Sequence, residues 1–146
     1  MHVFIGGVMQ ASNAGKGIMD QGYRRQITDV LLARWPEVEV LDPFAMHPQS
    51  IEYDDAAAAA TLFAMLDLAA GADLVIAYVP TASMGTALEM YVAHRAGVPV
   101  ATISPLETNW VVRALSSRVF RDLESFCACV RTAGSVAELA SVATVN

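Results

Sequence analysis

The chain has 146 residues, of which 55% are apolar and 16% charged, and its formal net charge is -6. This composition fits one folded domain and excludes a disordered chain. The negative charge argues against a nucleic-acid polymer as partner, and the apolar runs are shorter than the ~20 residues of a membrane span. The opening, MHVFIGG, lacks the basic and long apolar stretches of a signal peptide, so we expect a cytoplasmic protein.

The first half of the chain alternates strand-like and helical segments. The run from Val3 to Met9 predicts a buried strand, and the loop after it is long and rich in Gly, Ser and Asn. Long loops in compact domains are more often functional. The segment YRRQITDVLLARW predicts an amphipathic helix that ends at Pro36. The run from Val38 to Phe44 predicts a second strand with a turn at Asp42 and Pro43.

The second half continues this alternation. The stretch from Ala56 to Ala70 predicts a helix that Gly71 ends. The run ADLVIAYVP is continuously apolar, as expected of a parallel strand that is covered on both faces. A turn, TASMG, and a helix that stops at Gly97 follow, and VPVATIS predicts a fourth strand. We expect a further helix from Asn109 to about Phe126 and a terminal helical piece from Val136 to Val142.

This alternation predicts a single α/β domain over residues 1–146. We expect a flavodoxin- or Rossmann-like three-layer sandwich with a mainly parallel sheet of about four or five strands and right-handed crossovers. In such sheets, ligands bind outside the carboxyl ends of the strands. Three loops should meet there, at residues 6–22, 42–55 and 80–85.

The third of these loops carries the clearest chemistry. Ser83 and Gly85 lie just before a helix, where backbone N–H groups favour an anion and a small residue lets a ligand approach closely. Thr86 can cap the helix or add a hydroxyl to the same pocket. Glu89 lies one turn further on, and its side chain leans toward the helix N-terminus and the pocket mouth. This combination suits a ligand with a ribose, with or without a phosphate.

The residues around Glu89 resemble those of a known family. Four segments are similar to those of nucleoside 2-deoxyribosyltransferases and their relatives, the 2'-deoxynucleoside 5'-monophosphate N-glycosidases. They match the first strand (VFIGG), the AD-apolar strand (ADLVIAY), the G-x-x-x-E helix start (SMGTALEM) and the strand after it (GVPV). The resemblance covers most of residues 1–105 and is most specific from Asp73 to Val100. From spacing alone, both a functional role and an ordinary capping role at a helix start remain open for Glu89.

The resemblance implies that Glu89 is the nucleophile that attacks C1' of a deoxyribose and expels the base. The departing base needs a proton, which an Asp usually supplies in that family. Met65 stands at the position of that Asp, so Asp67 is the candidate replacement, and Asp54 and Asp55 are further candidates. The ordinary alternatives are an exposed helix residue for Asp67 and a helix N-cap for Asp54.

The substrate, cofactors and partners follow from the same reasoning. The resemblance implies that a set of loop residues binds the substrate: Gly6, Gly7, Asp54, Ser83, Gly85, Thr86 and Asn109. We expect no cofactor and no metal, because the three histidines and two cysteines show no metal-ligand spacing. The expected partner is a small-molecule nucleoside or nucleotide, and the resemblance implies a homodimer or a higher homo-oligomer.

Three functions remain open from the sequence. The first is an enzyme that cleaves or exchanges the N-glycosidic bond of nucleosides or their 5'-monophosphates. The second is a cytokinin-type phosphoribohydrolase, since PTASMGTALE contains the GTxxE of those enzymes but lacks their paired glycines. The third is a non-catalytic nucleotide-binding or sensor domain, which Met65 in place of an Asp favours.

Overall fold

A parallel five-stranded sheet forms the centre of the computed structural model, which describes residues 1–141. The strands are β1 (His2–Gly7), β2 (Glu39–Leu41), β3 (Leu74–Tyr78), β4 (Val100–Ile103) and β5 (Arg118–Phe120). Their order is β2-β1-β3-β4-β5, and every neighbouring pair is parallel. This is the strand order of flavodoxin-like sheets, whose topological switch point lies between β1 and β3. The expected fold class is confirmed.

Helices cover both faces of the sheet. They are α1 (Gly22–Arg34), α2 (Pro43–Met46), α3 (Asp55–Gly71), α4 (Met84–Arg95), α5 (Trp110–Leu115) and α6 (Leu123–Thr132), with 3-10 turns at Ser50–Glu52 and Val136–Ala140. Helices α1 and α6 pack on one face with the second 3-10 turn, while α3 and α4 pack on the other. Within residues 1–141, no helix combines the length and the apolar character needed to cross a membrane.

The central strands bury side chains on both faces. Along β1, Val3 and Ile5 face the α1–α6 layer, and Phe4 between them faces the α3–α4 layer. Along β3, Ile76 faces the α1–α6 layer and Val75 faces the α3–α4 layer. All five side chains are fully buried, which explains why these strands are continuously apolar in the sequence.

The prediction of one helix over residues 109–126 is wrong. The segment contains α5, β5 and the start of α6. Ser116 leaves the helix with extended backbone, and Ser117 then joins β4, because its N–H donates to the carbonyl of Val100 at 2.8 Å and its hydroxyl accepts from the N–H of Val100 at 3.1 Å. A new helix begins at the N-cap Asp122. The two serines were the overlooked signal, since serine competes with helical hydrogen bonds.

Two other segments differ in detail from the prediction. The second strand is shorter than predicted and ends at Leu41. It ends there because the Asp42 carboxylate accepts from the N–H of Phe44 at 3.0 Å and starts α2. The predicted terminal helix forms a 3-10 turn over Val136–Ala140, and Val142 lies outside the described residues. The remaining strands and helices agree with the prediction to within a few residues.

Candidate functional site

A pocket of about 230 Å³ opens at the carboxyl ends of β1 and β3, at the switch point of the sheet. Its walls come from the loop after β1, from α1, from α2 and the 3-10 turn that follows it, and from α3 and α4. Loops at this edge bind ligands in open α/β sheets. The structure brings five of the predicted site residues together here: Gly7, Ser83, Gly85, Thr86 and Glu89.

The two glycines that end β1 allow close approach on opposite faces of the sheet. A Cβ atom on Gly6 would collide with Oε2 of Glu89. A Cβ atom on Gly7 would collide with the hydroxyl and ring of Tyr23, which donates a hydrogen bond to the carbonyl of Val8. Gly7 is therefore required by packing against the Tyr23 ring, whereas a Cβ atom on Gly6 would displace only the carboxyl end of the Glu89 side chain.

The turn before α4 is held by two hydroxyl groups. Ser83 is the N-cap of α4, its hydroxyl accepts from the N–H of Thr86 at 3.4 Å, and the two hydroxyl oxygens lie 2.9 Å apart. Thr86 is buried, whereas Gly85 is exposed and has open space where a Cβ would stand. Because the first N–H groups of a helix have no partner within it, this turn offers donors to a ligand.

Glu89 extends from the first half of α4 to the end of β1. As a whole the residue is half-buried, but its Oε2 atom is buried and has no hydrogen-bond partner among the described residues. This burial raises the pKa of Glu89 from 4.5 to about 8, and the positive charge of Arg24 opposes the rise. A buried carboxyl oxygen without a donor is costly, and such groups mark functional sites.

Arg24 fixes the floor of the pocket and is a residue that sequence reasoning missed. Its guanidinium is almost fully buried. Its Nε donates to the side-chain amide oxygen of Gln21 at 2.7 Å, and its Nη2 donates to the backbone carbonyl of Gly7 at 3.0 Å. Its Nη1 donates to the backbone carbonyl of Ile5 at 3.1 Å and to the carboxylate of Asp42 at 2.8 Å. These bonds use four of the five guanidinium N–H groups, so Arg24 acts mainly as a fixed positive charge.

The sequence contains a signal that could have identified Arg24. It lies three residues before Ile27 and seven before Leu31, both of which are fully buried. An arginine on the apolar face of a helix is buried only where hydrogen bonds satisfy it. His47 also lines the pocket and was missed, because it follows a helix of only four residues that has no periodicity to detect.

Four predicted site residues do not line this pocket, and one of them is Gly6, which lies against the carboxyl group of Glu89 at the end of β1. Asp67 is exposed on α3, about 200° around the helix from Met65, which lines the pocket. Asp54 is exposed and is the N-cap of α3, where its carboxylate accepts from the N–H of Ala57 at 2.8 Å. Asn109 is the N-cap of α5. The geometry therefore gives no support to Asp67 or Asp54 as a proton donor.

A second cavity of about 350 Å³ lies between α4 and α5, with mostly apolar walls that include Asn109. It shares Ala11, Ser83 and Met84 with the pocket of Glu89, so the two spaces adjoin at the start of α4. In residues 1–141, no group of three or more His, Cys, Asp or Glu side chains is arranged to hold a metal ion.

The buried carboxyl generates a prediction about stability. Between pH 4.5 and about 8, the unfolded chain has released the proton of Glu89 and the native protein retains it, so rising pH favours unfolding over this range. Glu89→Gln removes this effect. Its stability relative to wild type should therefore rise across this range, by up to ~1.4 kcal/mol per pH unit, in urea unfolding experiments. The exposed Glu107→Gln should show no such trend, and parallel curves for wild type and Glu89→Gln would contradict the buried carboxyl.

Comparisons with known proteins identify solved structures with the same fold. The sequence matches no protein-family profile and no curated protein. A solved structure of the 2-deoxyribosyltransferase from Bacillus psychrosaccharolyticus is similar, with a TM-score of 0.67 and 16% identity over 95% of this chain and 96% of that one. The structure of a conserved protein from Enterococcus faecalis V583 is also similar, with a TM-score of 0.62 and 17% identity over 90% of this chain and 97% of that one. The chain thus shares the fold of a 2-deoxyribosyltransferase over nearly its whole length, and the resemblance in the sequence is confirmed at the level of the fold.

Proposed function

We propose that this protein cleaves or exchanges the N-glycosidic bond of a nucleoside or its 5'-monophosphate, with Glu89 as the nucleophile. The observation that carries this proposal is the buried Oε2 of Glu89, which has no donor among the described residues and borders a pocket at the switch point of the sheet. The fold shared with a solved 2-deoxyribosyltransferase supports the same class of reaction.

The reaction would proceed in two steps. An oxygen of Glu89 bonds to C1' of the sugar while the C1'–N bond breaks, and its electron pair leaves with the base. The reacting form is the carboxylate, which gains in population as the pH rises toward about 8, and it stabilises the positive charge that develops at C1' before it forms the ester. Water or a second base then attacks C1', and the ester bond breaks to restore the carboxylate.

The surroundings of Glu89 suggest how a nucleoside is oriented. The 5' end, with or without a phosphate, would lie at the start of α4, near Ser83 and Gly85. The base would lie on the opposite side of C1', against the α2–α3 wall, where Leu62 and Met65 supply apolar surface. Glu89 lines the same pocket as both regions, and in this orientation its carboxylate would face C1'.

A non-catalytic nucleotide-binding domain is the second candidate function. The observation that favours it is that Glu89 is the one carboxylate among the described residues of the pocket wall, which also includes Met65. The test that separates the two functions is release of the base. Binding of nucleotides without release of the base would indicate a sensor, and release from ribonucleoside monophosphates alone would indicate a phosphoribohydrolase.

The direct test is incubation with deoxynucleosides and their 5'-monophosphates, with and without a free acceptor base, followed by chromatography. Wild type should release or exchange the base. Glu89→Ala should lower the rate by about 1,000-fold or more, because it removes the nucleophile. Glu107→Gln, which changes an exposed carboxylate, should have the wild-type rate. Full activity in Glu89→Ala would refute the assignment.

A second test changes the position of the carboxylate without removing it. Gly6→Ala places a methyl group where Oε2 of Glu89 lies, so the carboxylate must move. We expect kcat to fall by about 100-fold, since a displacement of about 1 Å is enough for such a loss. The control is Gly71→Ala, where a Cβ meets nothing within 4 Å. Thermal unfolding should show both variants folded, and unchanged kcat in Gly6→Ala would contradict the proposed geometry.

A further inference from the structure

The proposed reaction leaves one requirement without a residue, which is the proton for the departing base. Three described side chains of the pocket wall are acids or bases: Arg24, His47 and Glu89. Arginine does not release its proton in proteins, and Glu89 is occupied as the nucleophile. The hydroxyl groups on the wall are much weaker acids than an imidazolium. His47 therefore remains as the group that can supply the proton.

The structure holds His47 in place through its main chain. The N–H of His47 donates to the carbonyl of Pro43 at 2.9 Å and closes α2. The start of α2 is fixed by the Asp42 carboxylate, which accepts from the N–H of Phe44 at 3.0 Å and from Arg24 at 2.8 Å. The buried ion pair on the pocket floor thus anchors the start of the short helix at whose end His47 lies.

The imidazole ring is held separately by Tyr53. Nδ1 of His47 lies 3.0 Å from the Tyr53 hydroxyl, and the two rings meet edge to face with centroids 6.0 Å apart. In an imidazolium both ring nitrogens carry protons, so Nδ1–H donates to the Tyr53 oxygen. Nε2–H has no partner among the described residues, and this leaves one N–H available to a ligand on the base side of the pocket.

We infer that His47 is the catalytic proton donor to the departing base and that Tyr53 is its positioning residue. This inference rests on the proposed function. As the oxygen of Glu89 bonds to C1', the electron pair of the C1'–N bond moves to the base nitrogen, which takes the proton from Nε2 of His47. In the second step water attacks C1', the ester electrons return to Glu89, and the proton of the water molecule goes to Nε2. Atoms and charges balance over the cycle, and His47 is regenerated.

The test compares two substrates that differ in their need for a proton. One is 2'-deoxyguanosine or its 5'-monophosphate, and the other is its 7-methyl derivative, whose cationic base departs as a neutral molecule. His47→Gln should lower kcat on the first substrate by about 100-fold or more and leave kcat on the second within about threefold of wild type. For an enzyme restricted to pyrimidines, 2'-deoxyuridine and its 5-fluoro derivative serve as the pair, with the smaller loss on the fluorinated one.

Matched variants complete the experiment. Tyr53→Phe should show the same selective loss at smaller size, which a purely structural role would not produce. His94→Gln changes an exposed histidine at the end of α4 and should match wild type on both substrates. Glu89→Ala should lose activity on both substrates. Equal losses on both substrates in His47→Gln, or no loss on either, would overturn the role of His47 while the proposed function stands. Failure of wild type to release any base would reject the proposed function itself.

Discussion

The close approach of the Glu89 carboxyl group to the backbone of Gly6 is the contact on which the site depends. It requires a residue without a Cβ at the end of β1 and a glutamate one turn into α4, and the parallel pairing of β1 with β3 brings the two together. The same contact shields Oε2 from solvent, and this desolvation raises the pKa of Glu89 to about 8. Close packing and the raised pKa of Glu89 therefore have one cause.

The ion pair between Arg24 and Asp42 organises the rest of the pocket. A buried ion pair is stable only when further hydrogen bonds satisfy it, and here the backbone carbonyls of β1 and the start of α2 supply them. The pair places a positive charge under the pocket, where it lowers the pKa of Glu89 against the larger effect of burial. It also anchors the short helix that ends at His47. The loops of β1 and β2 are joined into a single wall by this network.

The sequence predicted the parts of the fold that depend on repeated patterns. The apolar strands, the alternation with helices and the position of Glu89 at the carboxyl edge follow from spacing and are found in the structure. Asp67 is the expected replacement only because it lies close in sequence to Met65, and two residues along a helix turn the side chain by about 200°, which places Asp67 on the outer side of α3. Short elements such as α2 and β5 contain too few residues for a period, so they were missed.

The most direct measurement of the central claim is the mass of the peptides from enzyme quenched during turnover of a deoxynucleoside. We expect the peptide containing Glu89 to gain one deoxyribosyl unit and the adduct to disappear when an acceptor base is added. Glu89→Gln should never form the adduct. Turnover with no adduct on this peptide, or an adduct on another side chain, would contradict the role of Glu89 as the nucleophile.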